Sequence, residues 1–469
     1  MTELIADVDV AVIGAGVVGC AIARALAQSG CSVALLDAAH DVGTASSKAN
    51  TAIVHTGFDT VPGTLESSLV ARGSELLHRF ADDAGIALER TGALLVAWDG
   101  EQAKALEGLL DKAHANGCLD AALIDSAEVR RREPQLGPLA GPGLEVPGES
   151  IIDPWSVTLA FAVDALRSAA QLFLGRRVLS VAEEADGYLL GLDAAALRSR
   201  WVINAAGLSS DVIDRLFGHD DFRITARRGQ LLVIDKRARG LLEEIILPVP
   251  TERTKGVLVA PTVFGNVLVG PTAEDLDDRS DHATTAEGID SLRRAAERIL
   301  PGLAALEVTA LYAGLRAATE HRDYQIRCHA EQRYVCVGGI RSTGLTASMA
   351  IAERVVGLLR EAGGPIGPVL QAPAPPRMAP LGAAQRRPSF DPDLISSDAA
   401  YGAIICHCEQ VSLGELRDAA QSELPPTDLD GLRRRTRAMN GRCQGFFCGA
   451  ELRSLAAAML PIPDGRSSQ

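Results

Sequence analysis

The sequence predicts an α/β fold in three parts: a domain organised around a βαβ unit, an α+β domain with an antiparallel sheet inserted into it, and a small C-terminal domain. Three observations lead to this prediction. The chain opens on an apolar strand, a glycine-rich turn and an apolar helix, short strands crowd residues 222–340, and a proline-rich stretch precedes a cysteine-bearing tail. A chain of 469 residues is long enough for two or three domains.

The first element is a βαβ unit over residues 8–37. Its turn, "VIGAGVVG", holds Gly14, Gly16 and Gly19 in G-x-G-x-x-G spacing. Gly14 permits the tight turn, Gly16 lets the backbone approach a pyrophosphate, and Gly19 allows close helix–strand contact. Asp37 ends the second strand, where its carboxylate can accept hydrogen bonds from ribose hydroxyls and disfavours a 2′-phosphate. The pattern predicts a Rossmann-type dinucleotide site without separating FAD from NAD.

The bulk composition limits the partners. The net charge is −14, so the chain repels phosphate backbones and we expect no nucleic-acid partner. The first apolar run has no basic residues before it and is interrupted by glycines, which argues against a signal peptide or a membrane span. We therefore expect a cytoplasmic protein with reduced thiols. Peripheral attachment to a membrane through a partner stays open.

Four of the nine cysteines cluster in the tail: Cys406 and Cys408 in "ICHCEQ", and Cys443 and Cys448 in "GRCQGFFC". Four thiolates can hold a structural zinc ion or a 2Fe–2S cluster. If the dinucleotide is a flavin, the cluster is favoured, because a flavin enzyme has use for a one-electron relay. The basic run "RRRTRAMNGR" between the pairs reads either as a solvated face or as a counter-charge to a cluster or an acidic partner.

Three longer segments carry a family resemblance: "GTASSKANTAIVHTG" at 43–57, "GGIRSTGLTASMAIAERV" at 338–355, and "CHCE…CQGFFC" in the tail. Together with the glycine turn, they resemble FAD-dependent oxidoreductases of the D-amino-acid-oxidase-like superfamily. The nearest groups are the anaerobic glycerol-3-phosphate dehydrogenase large subunits and the L-2-hydroxyglutarate dehydrogenases. The tail resembles the BFD-like 2Fe–2S module fused to the former group.

The resemblance implies domain boundaries and cofactors. Residues 1–361 would form the oxidoreductase, with FAD-binding segments at about 1–80, 150–215 and 335–361 and a substrate domain at about 81–149 and 216–334. Residues 362–400 would be a proline-rich linker, and residues 401–469 a BFD-like domain. The implied cofactors are FAD and a 2Fe–2S cluster.

The resemblance also implies site residues. His55 matches a histidine beside the flavin, where it would act as a base or would only pack against the ring. Arg316 matches an arginine that pairs with the anionic group of the substrate, and Arg341 occupies a basic position near the flavin. The implied cofactor-binding residues are Gly14, Gly16, Gly19, Asp37, Ser46, Ser47, Asn50, Thr51, Val178, Gly207, Gly314, Gly339, Thr343, Gly344 and Leu345. The implied cluster ligands are Cys406, Cys408, Cys443 and Cys448.

The implied function is a dehydrogenase that oxidises a small hydroxylated anion, a 2-hydroxy acid or glycerol 3-phosphate, by hydride transfer to flavin N5. Electrons would leave through the cluster to an acceptor or a partner subunit. Two alternatives stay open. One is an amine or amino-acid dehydrogenase subunit, and the other is an electron-transfer flavoprotein subunit of a larger complex.

Overall fold

The structure is a computed structural model that describes residues 3–250, 256–368 and 373–460. Residues 461–469, the end of the predicted C-terminal domain, lie outside it. The chain opens as predicted. Strand β1 (Glu3–Ile13) runs into helix α1 (Val17–Gln28) and then into the fully buried strand β2 (Val33–Leu36). The apolar residues of α1 and one face of β1 and β2 lie in one hydrophobic core, and the opposite face of the two strands lies in a second core.

The other strands are mostly short. They are β3 Ile53–Val54, β4 Leu88–Glu89, β5 Ala93–Val96, β6 Ala122–Ile124, β7 Gly143–Val146, β8 Ser150–Ile152, β9 Gln171–Phe173, β10 Val178–Glu184, β11 Gly187–Leu192, β12 Ala195–Asn204, β13 Thr225–Ile234, β14 Ile245–Pro248, β15 Leu258–Pro261, β16 Val267–Gly270, β17 Glu274–Leu276, β18 Val308–Ala318, β19 Gln325–His329, β20 Tyr334–Gly338, β21 Ile404–Cys406 and β22 Val411–Ser412.

The remaining α-helices are α2 Leu65–Ala84, α3 Gly100–Ala115, α4 Ser126–Arg132, α5 Pro154–Arg167, α6 Ser210–Leu216, α7 Ala286–Ile299, α8 Gly344–Glu361, α9 Pro392–Ser397, α10 Leu413–Ala420, α11 Leu429–Thr436 and α12 Gly449–Met459. Most begin at a Ser, Thr or Asp whose side chain caps the first turn. For α5 this residue is Asp153, which accepts backbone N–H bonds from Trp155 and Ser156.

The first sheet is the nucleotide sheet, in the order β10-β11-β12-β1-β2-β9, with β20 also paired to β12 and β19 paired to β20. Its centre is parallel: β12, β1, β2 and β9 run in one direction, as a βαβ unit requires. Strand β19 falls inside the range predicted for the substrate domain. It belongs to this sheet instead, because a four-residue connection to β20 keeps the two strands in one hairpin.

The second sheet follows the order β17-β13-β16-β15-β14-β5-β7-β6, with β18 on the other edge of β13. It is antiparallel as predicted, except for the parallel pair β14 and β5. The long pairing of β13 with β18 runs from Thr225 opposite Ala318 to Ile234 opposite Val308. At one end of this pair Ile234 and Val308 pack in a core with residues of α7, and at the other end Ala317 packs in a core beside the nucleotide sheet.

The stretch predicted as a linker lies along the first two domains. The Gly367 N–H donates to the Ser29 carbonyl, the Met378 N–H to the Ala84 carbonyl and the Ala383 N–H to the Val263 carbonyl. It leads into a C-terminal domain with its own small core, built on Cys406, Leu416, Leu432, Cys448 and Leu452 among others. Within the described ranges, no helix combines the length and the apolar character needed to cross a bilayer.

Candidate active site

At two of the three positions in the glycine turn, a side chain would collide with the backbone. Gly14 has φ +108°, and a Cβ there would lie 2.4 Å from the Ala205 carbonyl oxygen. A Cβ on Gly19 would lie 1.8 Å from the Gly14 oxygen. Gly16 instead lines a cavity at the N-terminus of α1, where only the Ser47 hydroxyl is near its missing Cβ. This arrangement leaves room for a phosphate at backbone N–H groups of the helix start.

Asp37 is tied to the same turn. One carboxylate oxygen accepts the Ala15 N–H at 2.6 Å, and the other accepts the Ala39 N–H at 2.8 Å. Burial raises the pKa of Asp37 and the two backbone hydrogen bonds oppose that effect. A carboxylate oxygen has a second lone pair, so these bonds leave acceptor capacity for a ribose hydroxyl.

A cavity of about 320 Å³ lies between the nucleotide sheet and the second sheet, and we call it the interdomain cavity. The predicted residues that line it are Gly16, Ser46, Ser47, Asn50, Thr51, His55, Gly207, Gly314, Arg316, Arg341, Thr343, Gly344 and Leu345. Five predicted residues do not line it: Gly14, Gly19, Asp37, Val178 and Gly339. Of these, Val178 has its side chain in a hydrophobic core next to the nucleotide sheet.

Small polar side chains and backbone groups line one side of the cavity. The Ser47 hydroxyl accepts the Val17 N–H at 2.9 Å, and the Ser46 hydroxyl donates to the Leu315 carbonyl at 2.6 Å. Gly207 has φ +54° and no atom within 4 Å of its missing Cβ, so its backbone faces open space. A dinucleotide fits these residues because small side chains and backbone groups line its path from α1 towards the second sheet.

Arg316, in β18, is a mostly buried cation that lines the cavity. Its Nη2 donates to the Thr272 carbonyl at 2.8 Å. Among the residues that the structure describes, no carboxylate lies within 4 Å of its guanidinium group, although Asp275 and Arg227 act on it from farther away. Burial and the Arg227 charge hold the pKa of Arg316 below its ordinary value. A buried guanidinium of this kind is stabilised by an anion bound beside it.

Arg341 lies at the mouth of the same cavity, just before helix α8. Its guanidinium donates to the Arg322 carbonyl at 2.6 Å and lies 3.9 Å from a Glu66 carboxylate oxygen. The N-cap of α8 is Thr343, whose hydroxyl bonds to Glu66 and to Tyr324. The first turn of α8 contributes Gly344 and Leu345 to the cavity, so the positive end of the helix dipole faces the cavity.

His55 forms a pair with a residue that the sequence did not single out. Its Nδ1 lies 3.0 Å from an oxygen of Glu149, whose side chain is fully buried. The other Glu149 oxygen accepts the Thr56 N–H at 2.7 Å and the Thr56 hydroxyl at 2.9 Å. The backbone N–H of His55 donates to the Thr346 hydroxyl, which fixes the segment to α8.

The four tail cysteines come together as two contacting pairs, Cys406 with Cys448 and Cys408 with Cys443. The Phe447 N–H donates to the Cys443 sulfur and is the main reason why the pKa of Cys443 lies below its ordinary value. Burial raises the pKa of Cys408, and neighbouring thiols add to this effect. Cations at the centre would reverse that effect by stabilising all four thiolates.

The two thiol pairs also act on each other, since Cys406 adds to the raised pKa of Cys408 and Cys443 adds to that of Cys448. The four thiols therefore form one group of possible ligands. A 2Fe–2S cluster takes two thiolates on each of two irons, and a structural zinc takes four ligands around one centre.

The C-terminal domain is fixed to the first two domains by ion pairs, which we call the docking interface. Both carboxylate oxygens of Asp41 accept hydrogen bonds from Arg435 at 2.8 Å, and both side chains are buried. Lys236 lies 3.0 Å from Glu409, and Arg442 lies 2.7 Å from Asp235. The basic run between the cysteine pairs is therefore neither a solvated face nor a free docking surface, since much of it binds the chain's own flavin-side domains.

Comparison with known proteins is decisive for the family. A model described as "FAD dependent oxidoreductase" matches residues 9–358, and one described as "BFD-like [2Fe-2S] binding domain" matches residues 404–458. The chain belongs to the FAD-dependent oxidoreductase family. It binds FAD through its first part and a 2Fe–2S cluster through its BFD-like domain, which confirms both predicted cofactors.

One curated relative of this oxidoreductase matches nearly all of its length, and others match its first part. It is 33% identical over 461 residues to a glycerol 3-phosphate dehydrogenase of Caloramator mitchellensis, across 97% of this chain and 95% of the relative. It is 31% identical over 361 residues to a glycerol 3-phosphate oxidase of Mycoplasma pneumoniae, across 75% and 94%. An L-2-hydroxyglutarate dehydrogenase of Caenorhabditis elegans is 30% identical over 56% of this chain.

Solved structures agree on the fold. The FAD-bound L-α-glycerophosphate oxidase of Mycoplasma pneumoniae has a TM-score of 0.71 and 30% identity, over 76% of this oxidoreductase and 95% of that chain. Glycine oxidase of Geobacillus kaustophilus has a TM-score of 0.69 at 20% identity, which supports the fold alone. The predicted fold class and the predicted class of enzyme, an FAD-dependent oxidoreductase, are confirmed.

Proposed function

We propose that this oxidoreductase is a dehydrogenase for a small hydroxylated anion, with glycerol 3-phosphate as the first substrate to test and 2-hydroxy acids as the second. The observation that carries the proposal is Arg316. It is a mostly buried guanidinium that lines the interdomain cavity and has no carboxylate within 4 Å in the described part of the chain. A planar, permanently charged donor of this kind suits a phosphate or a carboxylate.

Two observations bear on the kind of anion. The relatives that cover most of the chain are named for glycerol 3-phosphate, which favours a phosphate. Arg341 adds a second guanidinium at the cavity, beside the N-terminus of α8, and this position favours a carboxylate near the flavin.

The catalytic base is proposed to be His55, positioned by Glu149. Because the buried carboxylate of Glu149 binds the Nδ1 side of the ring, it favours the tautomer that carries its proton on Nδ1. Nε2 is then the nitrogen that takes the proton of the substrate hydroxyl. A flavin held in the cavity would supply the acceptor for the hydride of the adjacent carbon, and the protein provides orientation and the proton acceptor.

The remaining assignments follow from the same geometry. We assign the cavity-lining residues near α1 and α8 to the flavin cofactor, and Cys406, Cys408, Cys443 and Cys448 to the cluster. Electrons would then leave through the cluster to an acceptor or a partner subunit. None of the nine cysteines forms a disulfide, which supports a cytoplasmic location.

The experiment is an anaerobic substrate panel with purified holoenzyme. Glycerol 3-phosphate, L-2-hydroxyglutarate, L-lactate and a set of amino acids are each mixed with the enzyme, and flavin bleaching is followed by absorbance. We expect bleaching by one of the hydroxylated anions and none by amino acids. Bleaching by amino acids alone would support the amine dehydrogenase alternative. A flavin that no member of the panel bleaches would support an electron-transfer subunit.

A further inference from the structure

Three domains meet at one aromatic side chain, Phe264, in the turn between β15 and β16. Its ring stacks on Trp155 of α5, with centroids 5.5 Å apart and planes 24° from parallel. The Arg437 guanidinium carbon lies 3.8 Å from the centre of the same ring. Phe264 therefore joins the nucleotide domain, through Trp155, to the C-terminal domain, through Arg437.

The Trp155 end of this stack reaches the wall of the interdomain cavity. The indole N–H of Trp155 donates to the Lys48 carbonyl at 3.1 Å. Lys48 closes the one-turn helix Ser46–Lys48, and the first two residues of that turn line the cavity. One turn of backbone thus separates the indole from the space assigned to FAD.

The Arg437 end reaches the cluster ligands. Its Nε donates to a Glu409 carboxylate oxygen at 2.8 Å, and Glu409 directly follows Cys408 in the chain. Arg437 and Glu409 are 4% and 6% exposed, and Phe264 is 9% exposed, so water is largely excluded from this end of the path, whereas Trp155 at the other end is half-buried. Arg437 also holds the left-handed conformation, with φ +68°, at the end of α11. A non-glycine residue in that conformation is strained, and its packing under Phe264 and its bond to Glu409 keep it there.

We propose that Trp155, Phe264 and the Arg437–Glu409 pair form the path by which electrons cross from the flavin to the cluster. The proposal rests on the dehydrogenase function proposed above and adds the residues of the internal transfer step. The hydride that leaves the substrate carries two electrons. These electrons cross to the cluster one at a time, and each electron reduces one iron from Fe³⁺ to Fe²⁺. Each then passes to an external one-electron acceptor before the next electron crosses. The protons do not follow the electrons to the cluster. They are released from the flavin site to solvent.

The physical reason is the continuity of packed atoms. Electron transfer through protein slows steeply as the gap between packed or bonded atoms widens, and a void forfeits the contacts that its lining atoms would make. Replacing Phe264 by leucine removes both ring contacts at once and opens such a gap midway. Replacing it by tyrosine keeps the ring and both contacts.

The test compares Phe264→Leu, Phe264→Tyr and the control Phe446→Leu in holoenzyme. Phe446 is a ring of the cluster loop that faces solvent and does not touch the path. The enzyme is mixed with substrate, flavin bleaching is followed by stopped-flow absorbance, and cluster reduction is followed by freeze-quench EPR. We expect Phe264→Leu to slow cluster reduction about tenfold with unchanged flavin bleaching. Phe264→Tyr and Phe446→Leu should behave as the wild type.

Three further measurements separate this role from a structural one. Iron and FAD content, the EPR line shape and the melting temperature of Phe264→Leu should match those of the wild type. Equal rates of cluster reduction in Phe264→Leu and wild type would overturn the proposal, and so would equal slowing in Phe446→Leu. If no substrate bleaches the flavin, the proposed function fails separately. The path is then tested by photoreduction of the flavin, with the same comparison of variants and the same outcomes.

Discussion

Nδ1 of His55 lies 3.0 Å from the buried carboxylate of Glu149, and the pairing of two short strands brings them together. Strand β3 pairs antiparallel with β8, with Ile53 opposite Ile151 and Val54 opposite Ser150. The next residues along this register are His55 and Glu149. The same carboxylate also accepts both donors of Thr56, so it is fixed in place from two sides.

We predict that Glu149→Gln lowers kcat about 100-fold and changes KM little. The amide keeps the shape of the side chain but removes the charge that orients the His55 ring and stabilises its protonated form. Substrate binding depends on Arg316 and is unaffected. The measurement is steady-state turnover with an artificial acceptor, together with the single-turnover rate of flavin bleaching.

The matched control for this prediction is Glu75→Gln, which removes an exposed carboxylate on α2 that pairs with Arg72 and Arg79. Its kcat should equal that of the wild type. A rise in the KM of Glu149→Gln with wild-type kcat would contradict the positioning role, because it would place Glu149 in substrate binding.

Arg316→Met should raise the KM for the anionic substrate by about 10- to 100-fold, since a hydrogen bond to a charged group contributes about 1.5–3 kcal/mol. Arg316→Lys should recover only part of the loss, because an ammonium group cannot form the bidentate pair. Arg131→Met, at an exposed arginine paired with Glu128, is the control. Equal KM values for wild type and Arg316→Met would show that the anion binds elsewhere.

The parts of the fold that the sequence predicted are those with a local signal. The glycine spacing predicts the turn before α1 because steric limits at Gly14 and Gly19 admit no other residue. The N-cap of α5 is Asp153, whose carboxylate accepts hydrogen bonds from the N–H groups of Trp155 and Ser156 and from the Ser156 hydroxyl. Capping and tight turns depend on neighbours in the chain, so they can be predicted from the chain.

Glu149 and the docking interface could not be predicted in that way. Glu149 is an ordinary acid in a turn, and only the β3–β8 register gives it a role. The basic run of the tail predicted a positive surface. Its partner Asp41, however, lies almost 400 residues earlier in the chain, in a loop whose position depends on the nucleotide sheet. Contacts of such sequence separation carry no local pattern.

Replacing Cys443 by serine should abolish cluster binding and leave FAD in place. Cys443 is one of four thiols in two contacting pairs, and its backbone N–H partners already favour the thiolate that iron needs. We expect iron content and the EPR signal to fall to background while the flavin spectrum is retained. Cys328→Ser, at a half-buried thiol in the nucleotide sheet, is the control and should keep the full iron content. If Cys443→Ser retained its iron, Cys443 would not be a cluster ligand.

The docking interface predicts that Asp41→Asn loosens the C-terminal domain. Breaking a buried ion pair costs about 3–5 kcal/mol, and Asp41 faces both Arg434 and Arg435. Although burial raises the pKa of Asp41, the hydrogen bonds and charges of these arginines outweigh it and hold the pKa below 3.8. We therefore expect proteases to cleave Asp41→Asn faster than the wild type in the stretch around the exposed Phe390. The control is Asp430→Asn, at an exposed acid on α11, and it should be cleaved at the wild-type rate.

The lowered pKa of Asp41 also determines how the contribution of its ion pairs to the stability of the folded state depends on pH. Since the folded state binds the proton more weakly than the unfolded state, the stabilisation is fully present above the ordinary value of 3.8 and is lost as pH falls through the lower folded value. The difference in melting temperature between wild type and Asp41→Asn should therefore be constant from neutral pH down to the region of 3.8, and should narrow below it. A difference that shrinks already near neutral pH would show that another titrating group, and not Asp41, controls the docking of the domain.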